Sequence, residues 1–338
     1  MDNAPNNVPA SASLKQALPE AILVAIPTLN EEAHIETCIR SLLRGDDRLT
    51  DIKVVVADGG SSDRTVEIVN ALSAEFPNLS VVDNPKRLQS AAINKVAANA
   101  TDKIKHLIRC DAHSIYPPGF VTQVADAMVR TEAASVVVCM DAVGTSCFQK
   151  ANAWIVDTPL GSGGSAHRGG TASGYYDHGH HAGFNLEYFR KIEGYDESFS
   201  HNEDAEYDHR LALAGGKIWL DADIRLSYLP RPSVRSLAKQ YYAYGRGRAR
   251  NLIKHKAKPK LRQLAPVVNL LGLVAAGIGA VVLPLFAAYP AVYLSALLAA
   301  SVFMALKHKS ACGLLAGLAS GTMHIAWAAG FLRQFILR

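Results

Sequence analysis

The chain has 338 residues, which is enough for one large domain with an appendage or for two domains. Its hydrophobic content of 49% and its mean hydropathy of +0.08 are high for a water-soluble protein. All 30 acidic residues and 19 of the 35 Lys and Arg lie within residues 1–223, so this part carries a net charge of −11 and the remainder carries +16. Such a split separates two environments, and a basic end without acids favours a nucleic acid or a membrane surface as its partner.

Two further features of composition concern the cysteines and the N-terminus. The five cysteines include no C-x-x-C pair and are odd in number, namely Cys38, Cys110, Cys139, Cys147 and Cys312. This pattern predicts reduced, buried thiols in a reducing compartment. Residues 1–19 are rich in Asn, Ala, Ser and Pro and lack an apolar core, which predicts a disordered lead-in and not a signal peptide.

Strand and helix patterns alternate from residue 20 onward. Short continuous apolar runs that stop at Pro, Asp or Gly indicate strands buried on both faces. The predicted strands are 20–26, 52–57, 79–82, 107–113 and 134–140, and the predicted helices are 30–43, capped by Asn30, 64–75, 88–99 and 118–130. This alternation predicts an α/β domain over residues 20–230, with a mostly parallel sheet and helices on both faces.

The second half of this domain is less regular. Residues 161–174 are rich in Gly and Ser, which predicts a mobile loop that could act as a lid. A helix should start at Glu203 and end at Gly215, and residues 217–229 read as a final strand pair. A metal site at His178, His180 and His181 is not favoured, because Asp177 is the one acid close to them in the sequence.

The C-terminal third has the composition of a membrane-attached segment. Residues 231–262 contain 11 Lys and Arg, no acid and interleaved tyrosines, and three stretches without charged residues follow at Leu264–Phe286, Pro290–Leu306 and Cys312–Leu332. Since about 17–20 apolar residues cross a bilayer, residues 263–338 are predicted to form three transmembrane helices. Residues 231–262 then form a basic interfacial segment, with lipid headgroups or a lipid diphosphate favoured over nucleic acid.

The distribution of basic residues predicts an orientation for these helices. Lys254 to Arg262 and the 307–309 loop share one side, which the positive-inside rule makes cytoplasmic, although Arg333 and Arg338 fall on the other side. The sequence therefore predicts a multi-pass protein of the cell inner membrane with a cytoplasmic catalytic domain.

Three polar loops follow strands of the predicted sheet. They are Pro27-Thr-Leu-Asn-Glu-Glu32, Asp58-Gly-Gly-Ser-Ser-Asp63 and Asp111-Ala-His113. In open α/β sheets such loops meet in the ligand crevice at the carboxyl ends of the strands. If the fourth strand continues through His113, Asp111 and His113 point the same way and could hold a divalent cation and, through it, a diphosphate. Spacing alone leaves open a strand-end Asp with a surface His.

These motifs, continued by Asn185, Gly194-Tyr-Asp-Glu197 and the pair Glu203-Asp204, resemble the family 2 glycosyltransferases of GT-A fold over about residues 20–255. The Asp-Ala-His variant, the Gly-Arg-Gly-Arg at 245–248 and the apolar tail resemble the succinoglycan-type, ExoA-like exopolysaccharide branch. The resemblance implies a Rossmann-like GT-A domain, a UDP-sugar donor, a divalent metal, inversion at the anomeric carbon and an acceptor linked to a lipid diphosphate.

The resemblance also assigns roles to individual residues. Asp204 is the expected base, with Glu203 beside it, although an Asp at a helix start is also an ordinary cap. Asp111 and His113 are the expected metal ligands, and a nitrogen ligand at His113, where the family usually has Asp, favours Mn²⁺ over Mg²⁺. The expected donor-binding residues are Pro27, Asn30, Glu31, Asp58, Arg87, Asp111 and Arg246.

The predicted function is transfer of one hexose, expected to be glucose, from a UDP-sugar to a lipid-linked saccharide in bacterial exopolysaccharide biosynthesis. Addition of a single sugar is favoured because Gln240 is not followed by the Arg-Trp of processive members. Membrane lipids and other polysaccharide assembly proteins are the expected partners, and nucleic acid is not. Two alternatives stay open: a polyprenyl-phosphate sugar transferase, and a non-catalytic membrane scaffold with a nucleotide-sugar-binding domain.

Overall fold

The computed structural model describes residues 16–164, 168 and 170–337. The chain forms two compact units, an N-terminal unit of Met1–Met140 and Gly169–Ser227 and a C-terminal unit of Asp141–Arg168 and Tyr228–Arg338. Most of the predicted lead-in, residues 1–15, lies outside the described residues. Within residues 16–19, Ala17 is buried and its N–H donates to Asp126 Oδ1 at 2.7 Å.

The strands and helices of the described residues alternate as predicted through the first half of the chain. The strands are β1 (Ile22–Thr28), β2 (Lys53–Asp58), β3 (Leu79–Asp83), β4 (His106–Arg109), β5 (Ser135–Ala142), β6 (Gly174–Tyr176), β7 (His180–Asn185) and β8 (Ile218–Tyr228). The helices are α1 (Ile35–Leu42), α2 (Thr65–Glu75), α3 (Gln89–Ala98), α4 (Phe120–Thr131), α5 (Cys147–Val156), α6 (Pro159–Ser162), α7 (Leu186–Lys191), α8 (Glu203–Leu213), α9 (Val234–Lys254), α10 (Leu261–Gly279), α11 (Ala288–Lys307) and α12 (Ala316–Ile336).

The strands form one sheet in the order β3-β2-β1-β4-β7-β5-β8-β6. β1 pairs in parallel with β2 and β4, and β2 with β3, whereas β7 is antiparallel to both β4 and β5. The register places Thr28 opposite Asp58, and Asp58 opposite Asp83. The carboxyl ends of β1, β2 and β3 therefore lie side by side, which is the edge where an open α/β sheet binds ligands.

Three predicted elements differ from the structure. The first helix begins at Ile35 and not at Asn30, because Asn30 has a left-handed φ of 57° and its side chain bonds to another loop. β4 ends at Arg109, so Asp111 and His113 lie in the following turn and the predicted alternation does not apply to them. Residues 217–229 contain one strand, β8, and not a pair. Residues 165–167 and 169 of the predicted mobile loop lie outside the described residues.

Among its described residues, the C-terminal unit contains three helical segments that are long and apolar enough to cross a membrane, at Leu261–Gly279, Pro284–Lys307 and Ala311–Ile336. Large apolar side chains along these segments are exposed, such as Val268 at 63%, Ile278 at 69% and Leu298 at 64%. Such exposure is unfavourable in water and favourable in lipid.

The glycines of the Gly-Arg-Gly-Arg motif serve helix packing. Both Gly245 and Gly247 on α9 are buried, and a Cβ at Gly245 would lie 2.0 Å from the carbonyl oxygen of Trp327 on α12. A Cβ at Gly330 on α12 would lie 2.1 Å from the carbonyl oxygen of Tyr242 on α9. Small residues at such crossings let two helix backbones come into direct contact.

One disulfide corrects the prediction of reduced thiols. Cys147, at the start of α5, is bonded to Cys312, 165 residues later, whereas Cys38, Cys110 and Cys139 are free and buried. α5 also packs against α12, and the ring of Trp154 stacks on His308 at 4.2 Å. These contacts explain why residues 141–168 cluster with the C-terminal unit.

Candidate active site

The loops that follow β1 and β2 are joined by hydrogen bonds. The N–H of Asn30 donates to Ser61 Oγ at 2.9 Å, and the Asn30 side-chain oxygen accepts from the N–H of Ser62 at 2.8 Å. The N–H of Glu31 donates to Thr65 Oγ1 at 2.8 Å. Asn30 and Glu31 therefore hold two strand-end loops in one arrangement, next to Pro27 near the end of β1.

Asp58 is engaged by its own surroundings. Its Oδ2 accepts from the N–H groups of Gly60 and Ser61, and its Oδ1 accepts from the hydroxyls of Ser61 and Thr28. A carboxylate has about four lone-pair sites, so these four donors occupy it. Asp58 thus orders the loop, and a uracil N–H could bind to it only by replacing one of these donors.

Arg87 lies beside the same loop. It has a left-handed φ of 56°, its side chain is exposed, and its Nη2 donates to the carbonyl oxygen of Gly60 at 3.4 Å. An exposed guanidinium at the carboxyl edge of the sheet is suitably placed to bind a phosphate or a base carbonyl.

The centre of the site is Arg109, the last residue of β4. Its side chain is 5% exposed, and its Nη1 donates to Asp204 Oδ1 at 2.9 Å and to the Tyr195 hydroxyl oxygen at 3.2 Å. Its Nε donates to Asp111 Oδ1 at 3.4 Å. One buried cation therefore joins the two acids to which the sequence assigned catalysis and metal binding.

Asp204 lies in the first turn of α8. Its Oδ1 also accepts from the Tyr195 hydroxyl at 2.6 Å, whereas its Oδ2 has no hydrogen-bond partner among the described residues. Burial raises the pKa of Asp204, but Arg109, followed by His181 and His180, outweighs burial and holds the pKa well below its usual value. Asp204 is therefore ionised at neutral pH.

Glu203 has the opposite environment. Burial, and next the negative charge of Asp204, raise the pKa of Glu203 to about 7. Two adjacent carboxylates whose pKa values are pushed apart are a common arrangement in acid–base catalysis.

Asp111 and His113 have different neighbours. Asp111 Oδ1 accepts from Gln89 Nε2 at 2.8 Å, and Asp111 Oδ2 lies 3.8 Å from His180 Nε2. His113 is exposed, and its Nδ1 lies 3.3 Å from Glu31 Oε1. Burial raises the pKa of Asp111, but the interactions with Arg109, His180 and His113 lower it by more. The net shift of this pKa is therefore downward.

A model described as Glycosyl transferase family 2 matches residues 23–193. The succinoglycan biosynthesis protein ExoA of Rhizobium meliloti (strain 1021) is 44% identical over 315 residues, which are 93% of this chain and 94% of that protein. This chain belongs to glycosyltransferase family 2. The predicted family and the prediction of a glycosyltransferase enzyme are confirmed, which removes the non-catalytic scaffold.

Two further relatives of this family 2 glycosyltransferase are more distant. The dolichyl N-acetyl-alpha-D-glucosaminyl phosphate 3-beta-D-2,3-diacetamido-2,3-dideoxy-beta-D-glucuronosyltransferase of Methanococcus voltae is 25% identical over 232 residues, 66% of this chain and 71% of that protein. The structure of the mannosyltransferase PcManGT from Pyrobaculum calidifontis, in complex with GDP-Man and Mn²⁺, matches with a TM-score of 0.60 and 17% identity, over 95% of this chain and 90% of that one. At this identity the likeness shows the fold, and it confirms the predicted GT-A class.

Behind the site, a buried chain of polar side chains supports α8 of the glycosyltransferase. Asp208 accepts from His181 Nε2 at 2.6 Å and contacts His178 Nδ1 at 2.5 Å, and His181 Nδ1 lies 2.6 Å from Ser135 Oγ. The Ser135 hydroxyl donates to the carbonyl oxygen of Gly183 at 2.7 Å. The histidine cluster thus anchors the helix that carries Asp204.

Arg246 belongs to the C-terminal unit, where it lies exposed on α9 between two buried glycines. The other predicted site residues lie in the N-terminal unit.

Sequence reasoning did not assign roles to Arg109, Tyr195, His180 or Gln89. Arg109 could have been found, because a charge inside an otherwise apolar strand requires a buried partner. The contacts of Tyr195 and His180 depend on long-range packing, and spacing in the sequence carries no signal for them.

Proposed function

We propose that this protein is a membrane-attached inverting glycosyltransferase that moves a single hexose, expected to be glucose, from a UDP-sugar to a lipid-linked saccharide in exopolysaccharide biosynthesis. The observation that carries the proposal is the buried guanidinium of Arg109 between Asp111 and Asp204 at the end of β4. This guanidinium joins Asp111, which is proposed to act on the donor side, to Asp204, which is proposed to take the proton of the acceptor. The 44% identity to ExoA supports the biosynthetic context.

In this proposal Asp204 is the base. Direct displacement at the anomeric carbon needs a carboxylate that takes the proton of the acceptor hydroxyl, which is typically worth about 10²–10⁴ in rate. Arg109 and Tyr195 fix Oδ1, so Oδ2 is the atom that accepts the proton. Glu203, with its pKa of about 7, tunes the basicity of Asp204 through its own charge.

A divalent metal fits the residues at Asp111. Metal–ligand distances of about 2.1 Å place two adjacent ligand atoms about 3–3.5 Å apart, and Asp111 Oδ2 and His180 Nε2 are 3.8 Å apart. His180 is therefore better placed than His113, which faces Glu31, to be the second protein ligand. The described residues contain no group of three or more His, Cys, Asp or Glu side chains suited to a metal, so the donor diphosphate would complete the coordination.

The bound cation would neutralise the charge that develops on the departing UDP. A nitrogen ligand, whether His180 or His113, keeps Mn²⁺ favoured over Mg²⁺. PcManGT was solved with Mn²⁺, which supports a divalent metal in this fold.

The donor site comprises the two linked loops with Pro27, Asn30, Glu31 and Asp58, flanked by Arg87. Its small residues leave the backbone accessible to a flat base: Gly60 has a φ of 76°, and a Cβ there would have nothing within 4 Å. Arg246 remains a proposed ligand of the donor diphosphate.

The acceptor is proposed to be lipid-linked because the chain carries three candidate membrane spans and a basic segment before them. The name of the Methanococcus relative likewise describes transfer to a dolichyl-linked sugar phosphate. The proposed location is the inner membrane with the active site on the cytoplasmic side, where other polysaccharide assembly proteins could supply the acceptor.

A donor panel tests the proposal. The full-length protein, in lipid nanodiscs, is given UDP-glucose, UDP-galactose, UDP-N-acetylglucosamine and GDP-mannose with lipid-linked saccharides or with polyprenyl phosphate. The assay, in Mn²⁺, Mg²⁺ or EDTA, measures nucleotide release and product linkage. We expect release of UDP with one inverted sugar added to a saccharide. Transfer to polyprenyl phosphate alone would instead support the alternative transferase, and no turnover with any pair would contradict the proposal.

A further inference from the structure

Arg168 is a partly buried cation in the C-terminal unit that the catalytic proposal does not use. Its Cζ lies 4.2 Å from the centre of the Tyr228 ring, so the guanidinium stacks on an aromatic face. Its Nη1 is buried and has no hydrogen-bond partner among the described residues. The stacking attracts the cation to the ring face but satisfies no N–H group.

The surroundings of Arg168 explain why this nitrogen lacks an acceptor. The titratable groups that interact electrostatically with its guanidinium are the hydroxyls of Tyr228, Tyr241 and Tyr244. The carboxylate of Asp157 interacts with it less strongly. No ion pair links Arg168 to a carboxylate in the described part of the chain. The unit is poor in such partners, because Asp141 and Asp157 are its sole acidic residues.

An unsatisfied buried guanidinium N–H costs free energy, so this arrangement favours an external anion. The planar fork of Arg matches the oxygens of a phosphate, and stacking on a ring fixes the direction of that fork. The same unit contains the three candidate membrane helices, so the anions that reach it include the phosphate esters of lipids.

We infer that Arg168, oriented by Tyr228 and flanked by the α9 tyrosines, binds the phosphate of the lipid-linked acceptor. The inference rests on the proposed function, because it names the group by which the acceptor is held. It makes Arg168 a determinant of acceptor recognition that is separate from the residues proposed to bind UDP.

The test measures binding without turnover. The full-length protein is titrated with phosphatidylcholine nanodiscs that contain polyprenyl phosphate, polyprenyl diphosphate or the uncharged polyprenol. UDP and inorganic phosphate are titrated separately. The first variant, Arg168→Gln, removes the charge. The second, Arg168→Lys, keeps the charge but lacks the planar guanidinium with its paired N–H donors. Lys150→Gln removes an exposed cation of the same unit as the matched control.

We expect Arg168→Gln to weaken binding of both phosphorylated lipids at least tenfold, Arg168→Lys to be intermediate, and Lys150→Gln to stay within twofold. Binding of polyprenol and of UDP should not change. Equal effects of Arg168→Gln and Lys150→Gln would overturn the inference, and so would inorganic phosphate that binds as tightly as the lipid. If the glutamine variant does not fold, the lysine variant decides in the same assay. Absence of sugar transfer with Arg168-dependent lipid binding intact would contradict the proposed function alone.

Discussion

Replacing Arg109 by glutamine should destabilise the N-terminal unit strongly. The change keeps much of the side-chain volume but removes the charge between Asp204, at 2.9 Å, and Asp111, at 3.4 Å. Removing one partner of a buried ion pair costs about 3–5 kcal/mol, because it leaves an uncompensated buried charge. For a unit of about 200 residues, 1 kcal/mol corresponds to about 2–4 °C, so the Tm should fall by about 6–20 °C.

The loss of thermal stability in the Arg109→Gln variant should be larger at neutral pH than in acid. In the wild type the folded-state pKa values of Asp111 and Asp204 lie below the unfolded value of 3.8, so their stabilising contribution is present above that value and is lost as pH falls through the folded pKa. Without Arg109 burial raises both pKa values, so the variant is penalised most at neutral pH. The Tm gap between wild type and variant should therefore narrow from about pH 7.5 to about pH 5.

Thermal unfolding of the full-length protein at both pH values checks this. The matched control is Arg40→Gln, because Arg40 pairs with Glu36 and Glu75 on the exposed surface, where an ion pair contributes about 0–1 kcal/mol. Equal Tm losses for the two variants, or a gap that does not narrow in acid, would refute the reasoning.

Three other predictions concern packing, the disulfide and the paired carboxylates. Gly245→Ala should lower stability by about 1–3 kcal/mol in thermal unfolding, because α12 leaves no room for a methyl group, whereas Gly277→Ala, in open space, should not. Reducing the bond between Cys147 and Cys312 should cost about 2–5 kcal/mol, and a variant with alanine at both positions should not respond to the reductant. Glu203→Gln should flatten the pH–rate profile near pH 7 while turnover persists; complete loss of turnover would make Glu203 the base.

The sequence predicts the first half of the fold well because its signals are local. The apolar runs of β1 and β2 are short, continuous and bounded by Pro or Asp, and α1 between them buries one face at helical spacing. The departures arise where distant parts of the chain meet. Asn30 lies outside the expected helix, and its side-chain oxygen accepts a hydrogen bond from the N–H of Ser62. Cys147 forms a disulfide with Cys312, which lies 165 residues later in the sequence. Neither contact has a local signature.

The site is predictable in part for the same reason. Asp204, Asp111 and Asp58 stand out because acids at strand and helix ends form recognisable motifs. Their individual roles depend on partners that only the fold supplies: Arg109 holds Asp204 ionised, and loop donors occupy Asp58. His180 comes near Asp111 because β7 inserts antiparallel beside β4, a topology that alternating strands and helices do not predict.

The most direct test of the account is the turnover of Asp204→Asn. The substitution keeps the shape of the side chain but removes the oxygen that is proposed to accept the acceptor proton. With the donor and acceptor that the panel identifies, UDP release should fall at least about a hundredfold, while calorimetry should show donor affinity within threefold of the wild type. Asp102→Asn, at a fully exposed position, should retain wild-type turnover. An Asp204→Asn variant that retained turnover within a few-fold would contradict the account and favour a phosphate acceptor that needs no base.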